Sequence, residues 1–229
     1  MDSWFIEKLM REIIGDYKIP KKHFEDELSP ILAIFIEDLI NSNAVFNEEI
    51  NRGGLFKMFN KEFPFRINEQ GYQSKNVDFL LLNDECVLMV ELKTSTKFYK
   101  EDQKNKYLDI KRRIEKESGA FLIDDIHKIL QKSSEKQKYR DTYEFLTHKD
   151  RLNQEKVRFK KINKSEIVYI GPETLDSDFG TDEPIILISF SELSKVSLEK
   201  STSGDEKAKA WEAIKGYLCK IEKLDSLYY

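Results

Sequence analysis

Cysteine is almost missing from this chain, with Cys86 and Cys219 the only two, no Cys-x-x-Cys pair and no spacing that suits a metal. That excludes an iron–sulfur cluster held by four cysteines and fits a reducing, cytoplasmic setting. Histidine is scarce as well: His23, His127 and His148 show no zinc spacing. No apolar run is long enough to cross a membrane, and the opening Met1-Asp2-Ser3-Trp4 lacks the basic and apolar regions of a signal peptide, so no membrane partner is expected. A Gly-x-x-x-x-Gly-Lys-Ser/Thr loop, a Gly-x-Gly-x-x-Gly turn and a Gly-x-Ser-x-Gly elbow are all absent, which removes support for nucleotide binding through those loops and for serine-hydrolase chemistry. Positive net charge is lacking too: −4, with a pI near 5.6, argues against indiscriminate adhesion to nucleic acid.

What is present is a chain of 229 residues, 40% hydrophobic and 35% charged, a size that suits one α/β domain over 1–229. A helical extension is expected over 1–27, with Ser3 capping a helix at 4–14, and a charged helical or loop insertion over 132–165. A helix over 28–42, opened by Ser29-Pro30, is apolar almost all round and therefore packed on several sides. Residues 51–60 read as a loop, 63–68 as a strand, and 77–83 and 86–94 as two strands separated by Asp84-Glu85. A helix over 101–116 closes at Ser118-Gly119, and 121–146 is mostly helical. The apolar runs 167–170 and 185–190 suit central parallel strands, and a last helix over 205–224 keeps Ala208, Trp211, Ile214, Leu218 and Ile221 in register. The order predicts a central mixed sheet, a three-strand meander followed by two further strands, flanked by helices.

Charges set inside apolar runs are costly to bury, and three of them stand out: Asp78, Glu91 and Lys93. If Asp84-Glu85 is a two-residue turn, Asn83 faces Cys86, and counting outward sets Asp78 opposite Glu91, with Cβ atoms roughly 5 Å apart. Period-two alternation brings Lys93 to the face of Glu91 and turns Leu92 away. Two carboxylates that close repel unless one is protonated or a cation lies between them, and a divalent ion held by oxygen ligands resolves the conflict. One bulge in the hairpin would break the alignment. A lysine beside two acids stays protonated, so its part is electrostatic.

Asp78 followed by Glu91-Leu92-Lys93 resembles the signature of the PD-(D/E)XK phosphodiesterases, the restriction-endonuclease-like nuclease superfamily, with Val77 in place of the leading proline. Gln103-Lys104-Asn105-Lys106-Tyr107 is similar to the Gln-x-x-x-Tyr motif of the RecB-like and lambda-exonuclease-like branch, and its ends share a helix face. The resemblance covers about residues 28–117. It implies a restriction-endonuclease-like core and a nuclease dependent on Mg²⁺ or Mn²⁺, with nucleic acid as partner, DNA ahead of RNA, and a homodimer left open. It implies that Asp78, Glu91 and the carbonyl of Leu92 hold metal, that Lys93 positions water and steadies the charge on phosphate, and that Gln103 and Tyr107 orient Lys93 or touch the phosphate. An acid on the helix before the sheet often assists, and Glu37 is the candidate, with His23 as the alternative. The other reading is an inactive nuclease-like domain that binds DNA or a protein; a blander one is a structural ion pair. Lys93, Lys97, Lys100, Lys104, Lys106, Lys111, Arg112 and Arg113, interleaved with Tyr99 and Tyr107, offer either a surface for a phosphate backbone or a solvated helix face.

Overall fold

The computed structural model describes residues 22–42, 50–66, 74–96, 99–132, 149–178, 185–198 and 205–227. The helix expected over 4–14 and residues 133–148 lie outside them. The elements run α1 (Lys22–Ser42), a 3-10 turn (Ile50–Gly53), β1 (Lys57–Arg66), β2 (Ser74–Leu82), β3 (Cys86–Leu92), α2 (Glu101–Glu117), α3 (Ala120–Lys132), α4 (Lys149–Lys161), β4 (Lys164–Gly171), a 3-10 turn (Glu173–Asp178), β5 (Ile185–Ser189), α5 (Phe190–Lys195) and α6 (Asp205–Leu227). They form an α/β fold with a five-stranded mixed sheet in the order β1-β2-β3-β4-β5, flanked by helices. The first three strands are the expected antiparallel meander. Lys164 N–H donates to Glu85 O and Lys93 N–H to Ile170 O, so β4 follows β3 in the same direction. By contacts the chain falls into two compact units, one drawn from Met1–Glu49, Glu91–Tyr99 and Val168–Tyr229, the other from Ile50–Val90 and Lys100–Ile167.

In the first unit α1 begins six residues before the expected start, and Ser29-Pro30 is not its cap: Pro30 lies inside the helix. An internal proline removes one helix N–H and crowds the carbonyl four residues back. The preceding turn is held from outside, because Glu25 Oε1 accepts the Thr94 N–H at 3.1 Å. The helix is not enclosed on every side either, since Ile34 is 48% exposed while Leu28, Leu32, Phe35, Ile36 and Leu39 are buried. Phe35 meets Trp211 of α6 with ring centroids 5.4 Å apart, and Trp211 Nε1 donates to Val196 O, so the indole is buried without losing its polar partner. β5 closes the strand order rather than sitting centrally, and its first three residues are half-buried. It ends at Ser189 because a reciprocal cap turns the chain into α5: Ser189 Oγ accepts Glu192 N–H, and Glu192 accepts Ser189 N–H.

In the second unit β1 starts at Lys57, well before the expected strand, and the register shifts between Met58 and Asn60. That shift breaks the period of two, so the sequence pattern there does not read as a strand. Phe59, Phe63, Phe65 and Phe159 fill this core, with Phe59–Phe159 centroids 5.1 Å apart; the charged segment around α4 is thus anchored by one aromatic. The C-terminus of α2 departs from expectation in detail: Ser118, not Gly119, takes the positive φ (71°, ψ 167°), its N–H bonded to Ile114 O. That region of backbone space suits glycine and strains other residues by roughly 1–3 kcal/mol, against about 0.5–1 kcal/mol of extra chain entropy for glycine. Ser118→Gly should therefore raise stability by about 1 kcal/mol in urea unfolding.

Candidate functional site

The β2–β3 pairing runs Phe79↔Val90, Leu80↔Met89, Leu81↔Leu88 and Leu82↔Val87, the register that a two-residue Asp84-Glu85 turn predicts. Asn83 makes that turn. Its buried Oδ1 accepts the N–H groups of Glu85 and Cys86, and its Nδ2 donates to the carbonyls of Ile50 and Gly54. Every residue of β3 is buried, which is why it reads as a continuous apolar run with one acid in it.

At the end of β3 the first unit gathers a charged group with almost no solvent. Glu91 is 3% and Lys93 5% exposed, and Lys93 Nζ lies 2.7 Å from Glu91 Oε1, so the two side chains share a face as alternation requires. Glu25 of α1 completes the cluster, its Oε2 being 3.7 Å from Lys93 Nζ while its Oε1 holds the Thr94 N–H. Lys93 is fixed from below by its N–H bond to Ile170 O at 2.8 Å. Gly171 permits that approach, since a Cβ there would come within 2.6 Å of Lys93 O. The next residues, Thr94, Ser95 and Thr96, are buried, and the hydroxyls of Thr94 and Thr96 have no hydrogen-bond partner among the described residues. Buried hydroxyls without partners are uncommon, and each asks for a physical account.

Glu25 is the residue that sequence reasoning passed over. Glu37, chosen instead, is half-buried on the same helix twelve residues on, roughly 18 Å along the axis. The side chain of His23 lies outside the described set. Burial is the main cause that pushes the Glu25 carboxyl above its ordinary 4.5; Glu91 and Asp26 add to it, while Lys93 and the Thr94 N–H pull it back. An acid with a raised native pKa binds more protons folded than unfolded between the two values, so it lowers stability as pH rises through that window. Glu25→Gln should flatten the stability–pH curve above 4.5, measured by urea unfolding at a series of pH values.

Asp78, Gln103 and Tyr107 belong to the second unit. Asp78 is half-buried on β2. Gln103 Nε2 donates to Tyr107 Oη at 2.7 Å, and that hydroxyl donates to Asn76 O at 3.1 Å, so the two ends of the motif do share a face and dock α2 on β2 two residues before Asp78. Glu62, with φ 55°, lies between Lys61 and Phe63, which pair with Phe79 and Val77, and so stands level with Asp78 on β1. The basic run is not one positive face. Lys111 pairs with Glu166, Arg112 with Asp109, and Arg113 with Glu117 and Asp125.

Carboxylate and carbonyl oxygens are donors of the type that Mg²⁺ and Mn²⁺ take, and the orphan threonine hydroxyls leave room in the hydrogen-bond balance for a further group. Among the described residues, however, no group of three or more His, Cys, Asp or Glu is placed to hold a metal ion. Glu25 and Glu91 both approach Lys93. Cys86 offers no alternative chemistry: burial pushes its thiol up to about 12. Among the described residues no helix is long and apolar enough to cross a membrane. No family model matches the chain, and no curated protein or solved structure is significantly similar to it.

Proposed function

We propose that the protein is a metal-dependent nuclease that hydrolyses phosphodiester bonds of nucleic acid, DNA ahead of RNA. The observation that supports this best is the buried Glu91–Lys93 pair with Glu25 beside it and two unpartnered threonine hydroxyls following in sequence. A cluster so dry is expensive to maintain for stability alone, because removing two charges from water offsets most of their attraction. Glu91 and the carbonyl of Leu92 would hold Mg²⁺ or Mn²⁺, with Glu25 in the part first given to Glu37. When bound, the ion supplies a water of lowered pKa and neutralises phosphate charge. The Lys93 ammonium would face the charge that develops on the phosphate, held in position by Glu91, and the Gln103–Tyr107 pair would fix the strand that carries Asp78.

Purified protein incubated with circular and linear DNA and Mn²⁺ should cut it, and Glu91→Gln should not. Mn²⁺ or Ca²⁺ should raise the melting temperature, by the linkage of ligand to the folded state. Stabilisation without cleavage would favour the inactive, binding-only domain. Neither effect would favour a structural ion pair, a reading that the absence of a three-acid group among the described residues supports.

A further inference from the structure

The second unit contains a cleft of about 430 Å³ that none of the proposed nuclease residues lines, a volume within the usual range for small ligands. Strand β1 contributes Arg66 to it, α2 contributes Lys106, Asp109 and Arg113, and α3 contributes Asp125 and Lys128. Four cations face two acids. The arrangement is built around Asp125, which is 7% exposed and receives Arg66 Nη1 at 3.1 Å and Arg113 Nη1 at 3.2 Å, with Lys128 Nζ at 3.8 Å. One carboxylate thus aligns three cations. The Arg113 guanidinium is fixed twice more, by Glu117 at 3.2 Å and by the Phe121 ring, whose centroid lies 3.9 Å below it. Phe121 and Leu122 belong to the first turn of α3, the end of a helix that favours negative charge.

We propose that this cleft binds a phosphomonoester of nucleoside-monophosphate kind, its dianionic phosphate held by Arg66, Lys106, Arg113 and Lys128 and its organic part against Phe65, Ile110 and Leu122. Three cations gathered on one carboxylate can meet both charges of a monoester dianion, where a phosphodiester link offers a single charge. A concave, small-molecule volume likewise fits a free ligand better than a nucleic-acid backbone, which needs an open groove. Locked guanidiniums bind phosphate with little loss of freedom. Burial, Arg113 and Arg66 together hold the Lys106 amine below its ordinary 10.5, opposed by Asp109 and Asp125. An arriving anion relieves that crowding of like charge. The inference stands apart from the proposed metal site, since the cleft uses none of Glu25, Asp78, Glu91, Lys93, Gln103 and Tyr107, although Lys106 and Arg113 belong to the basic run.

Calorimetric titration of the full chain with AMP, adenosine and inorganic phosphate tests it. At pH 7.5 AMP should bind at least tenfold more tightly than adenosine, which lacks the charge, and more tightly than inorganic phosphate, which lacks the ring. At pH 5.0 the AMP affinity should fall roughly tenfold, because a phosphate with a second pKa near 6 is then mostly monoanionic. Arg113→Gln and Lys106→Gln should each weaken AMP roughly tenfold or more, as loss of a charged hydrogen bond does. Lys128→Gln, at an exposed position, serves if either of these fails to fold, and should weaken AMP several-fold. Equal affinity for adenosine, no AMP binding, affinity unchanged by these substitutions, or an oligonucleotide that binds the cleft without competition from AMP would each overturn the proposal.

Discussion

Lys93→Met is expected to destabilise the protein by about 3–5 kcal/mol and to abolish any cleavage, although methionine matches lysine closely in length. The ammonium is within 4 Å of two carboxylates, at 2.7 Å from Glu91 and 3.7 Å from Glu25; Lys93 and Glu91 are shielded from water and Glu25 is partly exposed. Removing it leaves Glu91 buried without its counter-charge beside a second acid whose ionisation burial already opposes. The substitution Glu91→Ala, which from sequence should relieve repulsion between acids, is expected to destabilise as well, because it strands Lys93. The double variant Lys93→Met/Glu91→Leu should recover most of the loss, since a buried ion pair replaced whole by apolar side chains is often neutral or better. Urea unfolding of the two single variants and the double one closes the cycle. Activity should not return with stability, and that split separates the catalytic part of the pair from its structural part. A loss below about 1 kcal/mol for Lys93→Met would show the pair to be as wet as a surface one.

The hairpin was legible from sequence because its information is local. Two apolar runs and a two-residue break fix the Phe79↔Val90 register, and alternation alone brings Glu91 and Lys93 to one face. The Gln103–Tyr107 bond follows likewise from spacing along a helix. What stayed hidden depends on contacts distant in sequence. Glu25 lies before a proline that reads as a helix start, and the Thr94 N–H and Lys93, nearly seventy residues later, hold its turn in the helix. The early part of β1 was hidden by a register shift that erases the strand period. The cap at Ser189 was visible as Ser-x-x-Glu, but the apolar Phe190 suggested a strand residue instead of the first residue of α5. The cationic cleft draws on β1, α2 and α3, so no one segment of sequence contains it.

Asn83→Ala is expected to destabilise by roughly 2–4 kcal/mol, a loss on the scale of truncating a buried apolar side chain of the same hairpin. Its amide makes four bonds: Oδ1 accepts Cys86 N–H at 2.7 Å and Glu85 N–H at 3.0 Å, while Nδ2 donates to Ile50 O at 3.1 Å and Gly54 O at 3.2 Å. Each is worth about 1 kcal/mol net, and truncation leaves buried main-chain groups without a partner. Aspartate cannot substitute fully, because protonated it keeps the acceptor and one O–H donor in place of two, and ionised it has none, so Asn83→Asp should fall between alanine and wild type at low pH and become worse as the acid ionises against two carbonyls. Gly53→Ala should act on the same joint from the other side, since a Cβ there would come within 2.5 Å of Asn83 Oδ1 and 2.8 Å of Glu85 N. Because the turn sets the register that carries Asp78 and Glu91, a variant that folds with a slipped hairpin should lose metal-induced stabilisation while keeping its helix content by circular dichroism. Asn83→Ala with full stability would mean that the register is fixed by the apolar run alone.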